Sequence, residues 1–295
     1  MKDVISKKLF KRKKLLCTAA GLAAAWLFAW YVFPWCFSVP EGLEHPEEPG
    51  AVVLDRDGGR IATLPGRDYY HCEPVSLRAV PEMLVKATLA AEDKRFYSHG
   101  GADFLALGRA VVTNAADGEI VSGASTITQQ LAKNANPPGK RNLAAKMREC
   151  FQARRLEMTM SKEEILEAYF NRLDYGNLRR GPAAAARFYF GRDMDHLSLA
   201  ECALLAGLPQ GPSRLNPLKY PDRALERRNR VLRRMKEEGM FPGEMLDRAL
   251  QEPLFSSGTE KRRQALAPQV TASFLRAFRT GEVHTTLDSD LQRGV

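Results

Sequence analysis

The densest polar constellation in the chain stands where an apolar helical run ends. Glu92 and Asp93 follow that run and open the block EDKRFYSHGG (92–101). Helix ends favour cations over acids, so this placement costs stability unless a requirement other than folding keeps the acids there. The alternative is a solvated helix end that stops at Gly100 and Gly101. The block is the first candidate for a catalytic site, although taken alone it does not decide between a functional site and a solvated helix end.

A second polar cluster lies in GASTITQQLAKN (123–134). With Ser125 as the helix N-cap, a rotation of about 100° per residue places Thr126, Gln130 and Lys133 on one face. A hydroxyl, an amide and an ammonium that converge in this way suit a substrate rich in hydroxyls and phosphates. The alternative is a capped helix with an ordinary solvated face.

The third cluster combines a lone acid with cations in KRNLAAKMRE (140–149). Lys146 and Glu149 are three residues apart and are therefore neighbours on a helix face, with Arg148 between them in sequence. As a surface ion pair they would contribute little stability. Their position beside two other polar clusters on apolar helices favours a functional site.

Several other chemistries have no support in the sequence. Neither Ser-x-x-Lys nor Lys-Thr-Gly occurs, so the nucleophile of penicillin-type acyl transfer is missing. The five cysteines form no C-x-x-C pair and give no disulfide framework, and the histidines lack metal-ligand spacing. Because no dedicated ligand set is visible, no cofactor is expected with certainty. Whether a divalent cation (Mg²⁺ or Mn²⁺) assists is left open.

The positive charge is concentrated at the N-terminus. The formal net charge is +9, and residues 1–14 alone contain seven basic residues and one acid. A basic tip on a nearly balanced body argues against a nucleic-acid binder. Residues 15–37 carry no charge and are long enough to cross a bilayer as a helix. Aromatic residues crowd the far end of this segment, as at a membrane interface: Trp26, Trp30, Tyr31 and Trp35.

The basic tip predicts a single-pass anchor in the cytoplasmic (inner) membrane, with the N-terminus inside and the rest on the periplasmic side. The alternative, a cleaved signal peptide, is disfavoured because the apolar run is long and no A-x-A site follows it.

Beyond the anchor, the pattern predicts a mainly α fold. Residues 38–76 are predicted as a linker with a short hairpin around Asp57-Gly58-Gly59. From 77 to 250 helix follows helix without alternating strands, and 251–295 are predicted as a linker and a β-like beginning. Local signals mark helix boundaries: capping boxes at Ser161–Glu164 and Ser198–Glu201, first turns at Pro182, Pro221 and Pro242, and ends at Gly207 and Gly239.

Taken in order, five blocks resemble the family 51 glycosyltransferases that polymerise bacterial peptidoglycan, either alone or as the first domain of class A penicillin-binding proteins. The blocks are EDKRFYSHGG (92–101), GASTITQQLAKN (123–134), KMRE (146–149), SKEEILEAYFNRLDYG (161–176) and RRNRVLRRM (227–235). The stretch LAGLPQGPSRLNP followed by YPDRALERRNRVL is most similar to the 1C branch of these proteins.

The stretch HTTLDSDLQ resembles the start of the transpeptidase module that follows in such proteins, and the sequence then stops. A truncated chain, a split gene product and a natural transferase-only form are all compatible with this ending.

The resemblance implies a lysozyme-like helical transglycosylase domain with a membrane-associated jaw and small β elements at its edges. It implies two lipid-linked substrates, a growing glycan strand and lipid II. They react with inversion and release of polyprenyl pyrophosphate. Lipid II, the lipid-linked strand and the membrane are thus the expected partners, together with other cell-wall synthesis proteins, and nucleic acid is not.

The resemblance also assigns roles to residues. Glu92 matches the general base that takes a proton from the acceptor 4-hydroxyl, and Glu149 matches a second family glutamate near the donor pyrophosphate. A neighbouring acid such as Asp93 could raise the pKa of Glu92. Lys133 is the first candidate to stabilise the leaving pyrophosphate, and Lys146 the second. The substrate-binding set is Asp93, Phe96, His99, Gly123, Ser125, Thr126, Gln130, Lys133, Lys146 and Arg148.

One departure from the family pattern concerns the third block. The family has Arg-Lys-x-x-Glu, whereas this chain has Ala145 before Lys146. Arg148 and Arg141 are the candidate substitutes for the missing arginine, and activity is expected to be weaker without it. Two alternative functions stay open: a lysozyme-like glycan hydrolase in which one glutamate protonates a glycosidic bond, and a non-catalytic scaffold that binds lipid II.

Overall fold

A computed structural model of the chain describes residues 2–43, 49–66, 68–108, 125–136, 142–255, 278, 280–289 and 291, with no side-chain description for 2–13 and 41. Within these residues the fold is mainly α-helical, which confirms the prediction of fold class. The helices with both ends among these residues are α1 Lys2–Leu27, α2 Glu82–Glu92, α3 Ile127–Ala135, α4 Leu143–Thr159, α5 Lys162–Arg172, α6 Pro182–Phe190, α7 Leu199–Gly207, α8 Pro221–Glu237 and α9 Met245–Gln251. The strands are β1 Val52–Leu54, β2 Arg60–Thr63, β3 His71–Cys72, β4 Arg179–Arg180 and β5 Glu282–His284.

The N-terminal helix α1 continues through a π turn and a 3₁₀ turn as far as Cys36. The segment Lys14–Cys36 has 23 residues and a mean hydropathy of 1.7, and the protein buries none of its most apolar window. Its length and composition therefore suffice to cross a bilayer.

The far end of this segment lies against α4. The ring of Phe151 stacks on Phe37 with centroids 5.2 Å apart. Nε of Arg154 donates to the carbonyl oxygen of Trp30 at 3.1 Å, and its guanidinium lies 4.8 Å from the centre of the Tyr31 ring. These contacts fix the end of the apolar segment to the helix whose first turns carry Lys146.

The hairpin expected around Asp57-Gly58-Gly59 is present. Strands β1 and β2 pair antiparallel, and the carboxylate of Asp55 accepts the backbone N–H groups of Asp57 and Gly59 at 2.9 and 2.6 Å. Strand β5 pairs parallel to β1 on its other side. The three strands bury a small core of their own, and β3 with β4 forms a separate parallel pair.

Helix α7 lies at the centre of the main core. Its sequence LAECALLAG is apolar nearly all round, as expected of a helix packed on every side, and its residues from Ala200 to Gly207 are buried. Helices α2 and α8 pack against it and against each other. This arrangement brings the C-terminal end of α2, where Glu92 stands, next to the buried face of α8.

Local signals predicted most of the helix boundaries in this part of the chain. Both capping boxes form, and Pro182 and Pro221 occupy the first positions of their helices. The placement of Pro242 in a first helical turn is wrong: helix α9 begins three residues later at Met245, because a turn at 243–244 comes between them.

Candidate active site

Glu92 is the last residue of α2, and its side chain is only 11% exposed. Nε2 of Gln130 donates a hydrogen bond to Oε2 of the carboxylate at 2.8 Å, and Nη2 of Arg227 lies 3.2 Å from Oε1. Burial raises the pKa of Glu92 above the ordinary value, and the opposing effects of Gln130 and Arg227 are smaller. The negative charge of Asp93 adds to the rise, but burial is its main cause. Glu92 thus has the raised basicity that a carboxylate base needs.

Asp93 has other partners than Glu92 and joins the first block to the start of α3. Nε2 of His99 lies 3.0 Å from both of its carboxylate oxygens, and the backbone N–H of Ile127 donates to Oδ2 at 3.0 Å. The side chains of Asp93 and His99 are 4% and 5% exposed, and Phe96 is equally buried. The burial and internal contacts of these three residues fit a role in framing the site rather than touching a substrate.

The N-cap of α3 is Thr126, so the expectation that Ser125 caps this helix is wrong. Oγ1 of Thr126 accepts the backbone N–H of Gln129, and the side chain of Gln129 accepts the backbone N–H of Thr126. This reciprocal pair requires a Gln or Glu three residues after the hydroxyl residue. Thr126 has Gln129 at that position, whereas Ser125 has Thr128. The hydroxyl of Thr126 also donates to the carbonyl of Gly101 at 2.7 Å, which joins the first two blocks.

The side chains expected on one face of α3 make separate contacts. Thr126 is buried as the cap, Gln130 is half-buried against Glu92, and Lys133 is exposed on the last turn. Gly123 lies outside the described residues. The structure therefore joins Gln130 directly to the candidate base and leaves Lys133 available to a bound molecule.

The second and third blocks meet through Lys146. Its Nζ donates to Oγ of Ser125 at 2.7 Å and lies 3.5 Å from the carboxylate of Glu149. Half of the Lys146 side chain is exposed, so a further anionic partner can reach the ammonium. Arg148 is exposed on the same turns, whereas Arg141 lies outside the described residues.

Three residues at this site were not singled out from the sequence. Arg227 contacts Glu92, and Nη1 of Arg234, two turns along α8, donates to the carbonyl of Ala91 at 3.1 Å. Tyr169 donates its hydroxyl to Oε1 of Gln130 at 3.1 Å. The two arginines stand seven apart in RRNRVLRRM, a spacing that places them on one helix face, and this was the available signal.

Among the described residues, no group of three or more His, Cys, Asp or Glu side chains is placed to hold a metal ion. Exposed cations that can meet an anion stand on the neighbouring helices, among them the ammonium groups of Lys146 and Lys133 and the guanidinium of Arg148. A buried carboxylate held by two donors, with cations on the neighbouring helices, can take a proton from a hydroxyl and stabilise a departing phosphate.

A family model and the curated relatives identify the same protein family for this chain. A family model described as transglycosylase matches residues 57–236. Penicillin-binding protein 1A of Aquifex aeolicus is 40% identical over 247 residues, which are 82% of this chain and 34% of that protein. The protein of the same name from Vibrio cholerae is 36% identical over 291 residues, which are 95% of this chain and 35% of that protein.

This chain thus spans about a third of the length of these relatives. The crystal structure of penicillin-binding protein 1A from Haemophilus influenzae is 28% identical and covers 83% of this chain and 28% of its own, with a TM-score of 0.44. The relatives named here are of the 1A type, and the resemblance to the 1C branch stays a prediction.

Proposed function

The chain belongs to the transglycosylase family, and on that premise we propose that it is a peptidoglycan glycosyltransferase that polymerises lipid II into glycan strands during cell-wall synthesis. The observation that carries the proposal is the setting of Glu92. It is a buried carboxylate with a raised pKa, oriented by Gln130 and Arg227, at the position where the family has its base.

In the proposed reaction Glu92 removes the proton from the 4-hydroxyl of the acceptor sugar. The acceptor oxygen forms a bond to the anomeric carbon of the donor sugar as the bond from that carbon to the pyrophosphate oxygen breaks. The bonding electrons leave with the pyrophosphate, which stays on its polyprenyl chain, and the anomeric centre inverts. The raised pKa of Glu92 serves this step because a stronger base accepts the proton more readily.

The leaving pyrophosphate gains negative charge and is stabilised by cations rather than by an acid. We assign this role to Lys146 first, because Ser125 and Glu149 orient its ammonium while half of its side chain stays exposed. This reverses the order expected from the sequence, which put Lys133 first. Lys133 is exposed on α3 and is the second candidate, and Arg148 is a third on α4.

The setting proposed for this reaction is the outer surface of the cytoplasmic membrane. The apolar segment Lys14–Cys36 crosses the bilayer with the basic N-terminus inside, and its aromatic end is bound to α4. This contact keeps Lys146 and Glu149 close to the headgroups, where a polyprenyl pyrophosphate presents its phosphates.

The test is a gel assay of the detergent-solubilised full chain with fluorescent lipid II. The proposal predicts a ladder of lengthening glycan products that requires no other protein. Digestion of finished peptidoglycan without any ladder would favour the hydrolase. Binding of lipid II with neither activity would favour the scaffold, and either result would overturn the proposal.

A further inference from the structure

Both carboxylate oxygens of Glu92 are held, each by a side chain from a different helix. Gln130 on α3 donates to Oε2 at 2.8 Å, and Arg227 on α8 lies 3.2 Å from Oε1. An amide N–H and a guanidinium both stabilise the ionised form of a carboxylate. The groups that orient these two donors therefore bear on the charge state of the base.

Tyr169 orients the Gln130 amide through a hydrogen bond to its oxygen. The Tyr169 hydroxyl donates to Oε1 of Gln130 at 3.1 Å. Its side chain is buried, and burial raises the pKa of the hydroxyl well above its ordinary value, so the proton needed for this bond stays in place.

An amide has a donor on one arm and an acceptor on the other. With the oxygen engaged by Tyr169, the Gln130 nitrogen faces Glu92. An amide turned the other way would present its oxygen to Glu92. That oxygen can only accept a hydrogen bond, so the contact would favour the protonated form of Glu92.

Arg227 is anchored at the end of the central helix. Its side chain is 5% exposed, and its Nε donates to the carbonyl of Gly207, the last residue of α7, at 3.4 Å. The C-terminal end of a helix favours a cation. A Cβ at position 207 would lie 2.9 Å from Cγ of Arg227, so only glycine leaves the arginine room to pass. The carbonyl of Gly207 and its lack of a side chain therefore hold Arg227 in this position.

We infer that Tyr169 and Arg227 are positioning residues for Glu92: Tyr169 acts through Gln130 on one carboxylate oxygen, and Arg227 holds the other. The inference rests on the proposed function, since it takes Glu92 as the base. Burial raises the pKa of Glu92, and the charge of Asp93 adds to the rise, whereas Gln130, Arg227 and the more distant charge of Arg234 act in the opposite direction. The two donors thus stabilise the ionised form of a carboxylate whose pKa burial raises.

The experiment is the pH dependence of kcat/KM for glycan polymerisation by the detergent-solubilised full chain. Tyr169→Phe removes one hydroxyl and frees the Gln130 amide to turn. Arg227→Met removes the cation. Either change raises the pKa of Glu92, so the acid limb of the profile moves to higher pH by about one unit, and much of the rate returns at alkaline pH. Arg227→Lys keeps the charge and is expected to lie between Arg227→Met and the parent.

The matched control is Tyr175→Phe. Tyr175 is a second fully buried tyrosine, and its hydroxyl has no hydrogen-bond partner among the described residues. Removing this hydroxyl should leave the acid limb where it is in the parent. Thermal unfolding of each variant identifies any that fails to fold, and if Arg227→Met does so, Tyr169→Phe decides.

The possible outcomes separate the inference from the proposed function. A rate that falls equally at every pH in Tyr169→Phe, with the limb unmoved, means a merely structural role and overturns the inference. An equal shift of the limb in Tyr175→Phe does the same. Polymerisation that persists in Glu92→Gln overturns the proposed base instead, whatever the other variants do.

Discussion

Oδ2 of Asp93 accepts the backbone N–H of Ile127 at 3.0 Å, across 34 residues of sequence. Ile127 opens α3, where N–H groups lack partners within the helix and a negative charge is favourable. Asp93 follows Glu92 directly, so this bond ties the end of α2 to the start of α3. It sets the distance at which Gln130, one turn along α3, meets Glu92.

Asp93→Ala should therefore destabilise the fold. The change leaves the N–H of Ile127 and Nε2 of His99 buried without the acceptor, at a cost of roughly 2–5 kcal/mol. Thermal or urea unfolding of the detergent-solubilised protein measures this loss. The matched control is Asp195→Ala, because the Asp195 side chain is 66% exposed and should contribute little. Equal stability of the two variants would contradict the framing role of Asp93.

Lys146→Met should slow polymerisation while leaving the fold intact. A charge-assisted contact to a phosphate is worth about 1.5–3 kcal/mol, which corresponds to a loss of roughly ten- to a hundred-fold in rate. Initial rates with fluorescent lipid II measure this. Lys86→Met is the control, since Lys86 pairs with Glu82 on the surface of α2. An unchanged rate in Lys146→Met would move the leaving-group role to Lys133.

Ala145→Arg should raise the rate of polymerisation. Ala145 stands in the first turn of α4 beside Lys146, at the position where the sequence resemblance implies an arginine. A guanidinium there adds a second cation for the pyrophosphate. Rates of the parent and the variant at saturating lipid II give the comparison. No gain would indicate that Arg148 or Arg141 already fills this role.

Activity should fall on acidification at a higher pH than an ordinary glutamate would allow. The base works in its ionised form, which is present above its pKa and lost below it. Because burial raises the pKa of Glu92, the loss begins earlier as the pH falls. The kcat/KM profile of the parent shows where the acid limb lies, and a limb at the ordinary pKa of a glutamate would contradict the burial seen here.

Features that depend on residues a few positions apart could be predicted from the sequence. The capping boxes at Ser161 and Ser198 require only a Glu three residues later, and the hairpin at Asp57 requires only its turn residues. The prediction of Ser125 as the N-cap was wrong because two hydroxyl residues are adjacent there. The signal that decides between them is Gln129, which lies three residues after Thr126 and completes its capping box.

Arg227 and Tyr169 could not be predicted as neighbours of Glu92 and Gln130, because the chain brings these residues together from far apart. Arg227 is 135 residues from Glu92, and Tyr169 is 39 residues from Gln130. Which face of α8 meets the end of α2 depends on how both helices pack against α7, and no local pattern specifies that packing. The resemblance pointed to Glu92 itself, but its contact with Arg227 and its link through Gln130 to Tyr169 appear only in the folded chain.

Glu92→Gln tests whether Glu92 is the base of a glycan polymerase. Polymerisation and lipid II binding would be measured on the same detergent-solubilised preparations of the parent and the variant. The glutamine keeps the shape of the side chain but cannot take a proton, so the ladder should disappear while lipid II binding stays largely in place. A ladder of undiminished yield from Glu92→Gln would show that Glu92 is not the base.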